Sequence, residues 1–346
     1  MKVAAYEGIR QIRLQERAYP KITDDEAIVK VKYCGICGSD MHSYLEGRKG
    51  PPGLVLGHEV VGTVAELGKN VKGSKIGDRV VIGPPGTCGK CYYCRHGHPS
   101  YCQHVMENTI GLSPGVDGGM AEYVRVPIPE NMLVKLPDNV SFEDAVLMDT
   151  IAVSFHGIRI SHFRMGDNVV VTGAGPIGLA AIEYAKIGGA RHVTVIQRSP
   201  VKLKMAFDYG ADVGFSPQEE GLKKKVQDLY GGIGPDIWLE CAGNHAALQM
   251  ALDMVRGGGQ IMIIGHDHQP GPLIEQHLNR AEIETKGSRV YDKEEIEMCL
   301  AYLSQGRFHT RGMVSDIISL DDIITKGFDR LAVDKSLLKV VIAPNG

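Results

Sequence analysis

The chain has 346 residues, and at about 150 residues per domain that length implies two or three domains, each with room for its own core. Apolar residues make up 43% and charged residues 23%, which argues against a disordered, fibrous or coiled-coil chain; 43 Gly without a fixed period, beside only 17 Pro, call for many tight turns and not for collagen. Charge is nearly balanced, 38 Lys and Arg against 41 Asp and Glu, with only the short Lys223-Lys224-Lys225 run basic, so nucleic acid is not the expected partner.

From Lys2 to about Val81 the sequence reads as a small irregular β domain, with runs at Ala27 to Val31, Val60 to Val64 and Arg79 to Ile82 broken by turns. Residues 83 to 119 are packed with Gly, Pro, Cys and Tyr and show no sustained period, so something other than an apolar core must hold that loop. A further β run, Ala121 to Val126, leads to Pro127 and Pro129, after which Ser141 opens a helix with Glu143 and Asp144 in its first turn. Beyond residue 166 the rhythm becomes strand, Gly turn, helix, strand: Asn168 to Thr172, Gly173 to Gly188, His192 to Ile196, then Asp236 to Glu240 and Gln260 to Gly265. Short apolar strands separated by helices predict a parallel sheet buried on both faces. After about Thr285 the alternation fades into a helix from Glu294, a run Met313 to Leu320 and a last strand Leu338 to Ile342, with no internal repeat. No apolar run approaches the roughly 18 residues of a membrane span, and Met1 to Glu7 does not read as a secretory signal. The expected setting is cytoplasmic.

Eight cysteines are too few for a disulfide scaffold of this length, and their spacing points to metal ligands in a reducing compartment. Cys88, Cys91, Cys94 and Cys102 form C-x2-C-x2-C-x7-C. Four thiolates close a tetrahedron around Zn2+ and leave no position for substrate, so this site would staple a loop that lacks its own core. An iron–sulfur cluster is the alternative that clustered cysteines allow.

A second set is open. Cys37 lies in GICGSDMH and His58-Glu59 in LGHEVVG, each beside a β run. One thiolate, one imidazole and one carboxylate are a zinc set that leaves the next position for water or an alcohol oxygen. Taken singly, each has a plainer reading as a buried hydrophobe, a satisfied core histidine or a solvated charge. Cys34 with Cys37 also makes C-x2-C, but no thioredoxin-like βαβ surrounds it. Asp149 sits between apolar neighbours in AVLMDTIAVSF, and a carboxylate there needs a cation, a donor or a metal. It is the fourth ligand candidate, with a helix N-cap as the alternative.

The strand Asn168 to Thr172 runs into Gly173-Ala174-Gly175-Pro176-Ile177-Gly178 and then a helical stretch, the context in which G-x-G-x-x-G places a pyrophosphate at a helix N-terminus. At the end of the next strand, where an acid would hold the ribose 2′-hydroxyl, the chain reads Gln197-Arg198-Ser199. No carboxylate repels a 2′-phosphate there, and Arg198, Ser199 and Lys202 could hold one, so NADP is favoured over NAD. Arg198 could equally stack on the adenine with either cofactor.

Together GICGSDMH with GHE, the four-cysteine loop and GAGPIG resemble the zinc-containing medium-chain dehydrogenase/reductase superfamily across essentially the whole chain, with the polyol (sorbitol), butanediol and threonine dehydrogenases the most similar branch. The resemblance implies an α/β architecture: a GroES-like β-rich catalytic domain over residues 1–148 with a structural zinc loop at 83–104, a Rossmann domain over 149–288, and a return to the catalytic domain over 289–346. It implies two zinc ions per chain, Cys37, His58 and Glu59 as catalytic ligands with Asp149 as a further acid, Ser39 as the hydroxyl that bonds the substrate oxygen, and His42 as the outer member of a proton relay. The implied reaction moves hydride between a nicotinamide and a secondary alcohol or polyol and its ketone. Threonine 3-dehydrogenase-like or butanediol dehydrogenase-like activity is the alternative. Relatives of the lens type keep the fold as non-catalytic cofactor-binding proteins, and others are zinc-free quinone or enoyl reductases; the metal set retained here counts against both. The family more often has Asp where this chain has Gln197. Tyr44, Arg48, His266 and His268 are candidate pocket walls, and relatives commonly form homodimers or homotetramers.

Overall fold

The structure is a computed structural model and describes residues 1–47, 50–83, 85–266, 271 and 275–346. It divides into two compact units, Met1–Asp149 with Tyr291–Gly346, and Thr150–Val290. In chain order the strands are β1 Lys2–Gly8, β2 Gln11–Glu16, β3 Ala27–Gly35, β4 Glu59–Leu67, β5 Arg79–Ile82, β6 Tyr123–Val126, β7 Leu133–Lys135, β8 Asn168–Thr172, β9 His192–Ile196, β10 Val213–Phe215, β11 Ile237–Glu240, β12 Gln260–Ile263, β13 Glu284–Gly287, β14 Val314–Ser319 and β15 Lys339–Ala343.

In the first unit β1 and β2 form an antiparallel hairpin, and a larger sheet runs β14-β15-β3-β4-β5-β7 with β6 also on β3. The last strand lies antiparallel to β3, pairing Val341 with Gly35 and Ile342 with Cys34, so the two ends of the chain share one sheet. Tyr44, Leu56, Ile82, Met120, Met132 and Phe328 fill its core. Two features differ from the sequence expectation. A helix, Gly38–Glu46, follows Cys37 directly, and the stretch around 92–108 carries short helical turns at Tyr92–Arg95, Pro99–Tyr101 and Val105–Asn108. In that loop only Cys91, Cys102 and Val105 form a buried apolar cluster, with Cys88 and Cys94 against them.

The second unit is a six-stranded sheet in the order β10-β9-β8-β11-β12-β13 with every pairing parallel. All four residues of β11, Ile-Trp-Leu-Glu, are buried, as a sheet covered on both faces requires. Its core gathers Val170, Ile196, Val226, Trp238 and Ile261, and the Trp238 indole N–H donates to Thr172 Oγ1 at 3.2 Å. The strand order reverses between β8 and β11, and the crevice beyond the carboxyl ends of strands at such a switch point is where open α/β sheets bind nucleotides. Among the described residues, no helix is long and apolar enough to cross a membrane.

Candidate metal centre and nucleotide site

Three side chains from distant parts of the sequence converge in the first unit. Cys37 caps the helix Gly38–Glu46 just after β3, His58 stands immediately before β4, and Asp149 lies in the first turn of the helix Met148–Arg159. Because that helix already begins at Met148, the N-cap alternative for Asp149 does not hold. A Cys37 sulfur, a His58 ring nitrogen and an Asp149 oxygen all lie within 4.8 Å of one another. A soft thiolate, an imidazole and a carboxylate bonded at about 2.0–2.3 Å to one ion would stand at such mutual distances, so the donor set fits zinc with three protein ligands, the count of a catalytic site.

Two side chains outside this triplet flank His58. Its Nδ1 lies 3.7 Å from Asp40 Oδ1 and its Nε2 lies 3.3 Å from Ser39 Oγ. Asp40 is itself fixed, since its other oxygen accepts the Cys37 backbone N–H at 2.9 Å. At 3.7 Å the Asp40 carboxylate is an electrostatic neighbour of the imidazole and not its hydrogen-bond partner. Burial disfavours the imidazolium, yet Asp40, Cys37 and Asp149 outweigh it and push the His58 pKa up to about 10. Acidic groups therefore crowd the imidazole from more than one side, a setting suited to a cation.

Glu59 stands apart from the triplet. Its Oε1 lies 2.6 Å from Lys339 Nζ, with both side chains almost fully buried. The space for that carboxylate comes from Gly35, its partner on β3, where an added Cβ would stand 2.1 Å from Glu59 Oε2. Burial would discharge Lys339, but Glu59 holds its proton well above the ordinary lysine range. The Tyr291 hydroxyl donates to Asp149 Oδ1 at 2.5 Å. Burial, reinforced by the Asp149 charge, pushes that phenol well above its usual range, so it remains a donor.

Of the remaining expectations, His42 Nδ1 lies 3.2 Å from Glu46 Oε1 with about a third of its side chain exposed. Tyr44 is 2% exposed, donates its hydroxyl to Asp329 and packs on Phe328, so it is a core residue rather than a pocket wall. Arg48 and His268 lie outside the described residues; His266 follows Gly265 beyond β12.

The four-cysteine loop does gather its sulfurs. Cys91 Sγ lies 3.5 Å from Cys94 Sγ and 3.9 Å from Cys102 Sγ, far beyond the roughly 2.05 Å of a disulfide. Backbone N–H groups of Cys91, Cys88 and His104 point at sulfurs of this cluster at 3.3 to 3.4 Å. Backbone donors draw the Cys91 thiol down to about 6, whereas burial pushes Cys94 up to about 12. Four sulfurs at this spacing fit a closed metal shell.

In the second unit Gly173, Gly175 and Gly178 differ in their surroundings in the way a pyrophosphate turn needs. Gly173 takes φ 87°; nothing lies within 4 Å of a Cβ at Gly175; a Cβ at Gly178 would stand 1.8 Å from the Gly173 carbonyl oxygen. Gly175 caps the helix Pro176–Ile187, and Ile177 and Pro176 form its first turn. Past β9, Gln197 Oε1 accepts the Ser199 N–H at 3.0 Å, and Ser199 caps the helix Pro200–Asp208 by accepting the Lys202 N–H at 3.5 Å. Arg198 is exposed, and no acidic residue stands in that helix's first turn.

Asp40, Lys339 and Tyr291 are the site residues the sequence reading missed. Asp40 was readable as the acid three residues after Cys37, and Lys339 as the one charge in the apolar run Leu338–Ile342; Tyr291 carries no local signal.

Residues 23–138 match the alcohol dehydrogenase GroES-like domain family and residues 176–305 the zinc-binding dehydrogenase family. Sorbitol dehydrogenase from Bacillus subtilis is 32% identical over 354 residues, covering 100% of this chain and 98% of that protein. (R,R)-butanediol dehydrogenase from the same organism is 32% identical over 358 residues, covering 100% of each. Among solved structures, the alcohol dehydrogenase TADH from Thermus sp. ATN1 superposes with a TM-score of 0.91 at 33% identity over 99% of both chains.

Proposed function

The chain belongs to the zinc-containing medium-chain dehydrogenase/reductase superfamily, in its alcohol and polyol dehydrogenase branch, and on that premise we propose that it interconverts a secondary alcohol or polyol and its ketone at a zinc held by Cys37, His58 and Asp149. The convergence of those three donors within 4.8 Å supports this assignment. Glu59, tied to Lys339, serves as the outer carboxylate of the same centre. Zinc there supplies Lewis-acid polarisation of the substrate oxygen, and the nicotinamide accepts or returns the hydride. Ser39 Oγ, which stands beside His58, would receive the substrate hydroxyl proton while handing its own on, by way of the nucleotide's ribose hydroxyls or the partly exposed His42, to solvent. Cys88, Cys91, Cys94 and Cys102 hold a second zinc that fixes their loop, giving two ions per chain.

Gly173, Gly175, Pro176, Ile177 and Gly178 carry the pyrophosphate of the nicotinamide nucleotide. NADP is preferred: Gln197 presents no carboxylate to its 2′-phosphate, and Arg198, with the acid-free start of the helix capped by Ser199 and reaching Lys202, attracts it. The enzyme works in the cytoplasm as a homodimer or homotetramer.

One experiment tests the core of this reading. Zinc-loaded protein is assayed with sorbitol, xylitol, 2,3-butanediol, threonine and simple secondary alcohols, each with NAD and NADP, by cofactor absorbance. Turnover of a polyol or diol, lost together with one zinc per chain in Cys37→Ala, is the expected result. Full turnover in Cys37→Ala would overturn the metal-centred assignment, and a higher kcat/KM with NAD would overturn the cofactor preference.

A further inference from the structure

We propose that Tyr291 is a positioning residue that holds Asp149 in the ligand set of the catalytic metal, an inference that rests on the assignment of Asp149 as a ligand. Asp149 and Tyr291 are 142 residues apart, yet the Tyr291 hydroxyl donates to Asp149 Oδ1 at 2.5 Å. They also bound the first unit where the chain leaves it and where it returns. The hydrogen bond therefore joins the two crossing points to each other and to the metal centre. A carboxylate that accepts a phenol on one oxygen keeps the other for an ion, and it cannot swing away without breaking a part-buried, charge-assisted bond.

The backbone on both sides of Tyr291 is held in place. Val290 has φ 52°, a left-handed conformation that is rare for a β-branched residue and persists only where surrounding structure demands it. On the far side Asp292 caps the helix Lys293–Ser304, and its backbone N–H donates to Glu295 Oε2 at 2.8 Å. The strained residue and the cap together aim a ring that is 2% exposed. Tyr291 also borders a pocket of about 380 Å³ beside the cysteine loop, lined by Cys94, Pro99 and Asn131 as well. Truncation to alanine would enlarge that space, so the informative change is Tyr291→Phe, which removes one oxygen.

The test measures zinc affinity of the full chain by competition with a chelator, in the parent, Asp149→Asn, Tyr291→Phe and the double variant, with melting temperature and loop zinc as fold controls. Tyr291→Met, which fills the space flexibly without a donor, replaces Phe should the latter misfold. Tyr291→Phe is expected to weaken the catalytic zinc about 10- to 100-fold, to leave the loop zinc in place and to add nothing in the Asp149→Asn background. Unchanged affinity in Tyr291→Phe would overturn the inference alone. An equal loss in both backgrounds would also overturn it, by reducing the tyrosine to a packing role. Unchanged affinity in Asp149→Asn would instead overturn the ligand assignment beneath it.

Discussion

Replacing Lys339 by methionine should be among the most damaging single changes in the first unit, although Lys339 lies outside the ligand triplet. Its ammonium and Glu59 Oε1 are 2.6 Å apart, with side chains 6% and 1% exposed, so water cannot stand in for either partner. Removing one member of a buried pair leaves a desolvated charge, which costs about 3–5 kcal/mol. For a cooperative unit of about 150–250 residues, at about 2–4 °C per kcal/mol, that is a fall in Tm of roughly 6–20 °C. Lys339→Met/Glu59→Met removes both charges and keeps both lengths; because a buried pair and well-packed apolar residues are close in stability, most of the loss should return. Thermal and urea unfolding of parent, single and double variants measure this, with zinc content read on the same samples. Lys339→Met within about 1 kcal/mol of the parent, or a double variant no more stable than the single, would refute the reasoning. Loss of one zinc in an otherwise stable double variant would return Glu59 to the ligand set.

The glycines of the nucleotide turn should separate folding from binding: Gly178→Ala drives a Cβ against the Gly173 carbonyl and should cost about 1–3 kcal/mol of stability together with nucleotide affinity. Gly175→Ala, with open space around its Cβ, should keep the melting temperature and still weaken NADPH binding in a fluorescence titration. Cys94→Ser should lower zinc content by one ion per chain and open the loop around residues 92–108 to protease, since only Cys91, Cys102 and Val105 form a buried apolar cluster there; unchanged zinc content would count against a closed four-sulfur site. In the second unit, burial raises the Asp236 pKa, but the Asn168 N–H and Arg256 bonds outweigh it and hold the pKa below the usual carboxylate value. A depressed carboxylate lends stability above its unfolded pKa and loses it as pH falls through the folded one. Asp236→Asn should therefore be less stable than the parent at pH 7, and the gap should narrow below about pH 4; a pH-independent difference in urea unfolding would argue that the pair carries no charge-linked stability.

Much of the framework was legible because its causes are local. Arg79–Ile82, Asn168–Thr172 and His192–Ile196 appear as strands over the residues expected, since each is an apolar, largely β-branched run closed by turn or charged residues. The four sulfurs meet because two two-residue gaps and one of seven turn the backbone within a single loop, and the glycine turn follows a strand and opens a helix as its spacing implies. Asp149 stood out as a carboxylate among apolar neighbours, a cost that had to be met somewhere. What met it was not readable. The Tyr291 hydroxyl comes from 142 positions away, and Lys339 reaches Glu59 across 280 positions by way of β15 lying against β3. Residue types and spacing determined which donors this chain possesses and the short elements that carry them. Which carboxylate joins Cys37 and His58 and which faces a lysine depended on strand pairing and on the room left at Gly35, because those are set only when segments far apart in the chain pack together.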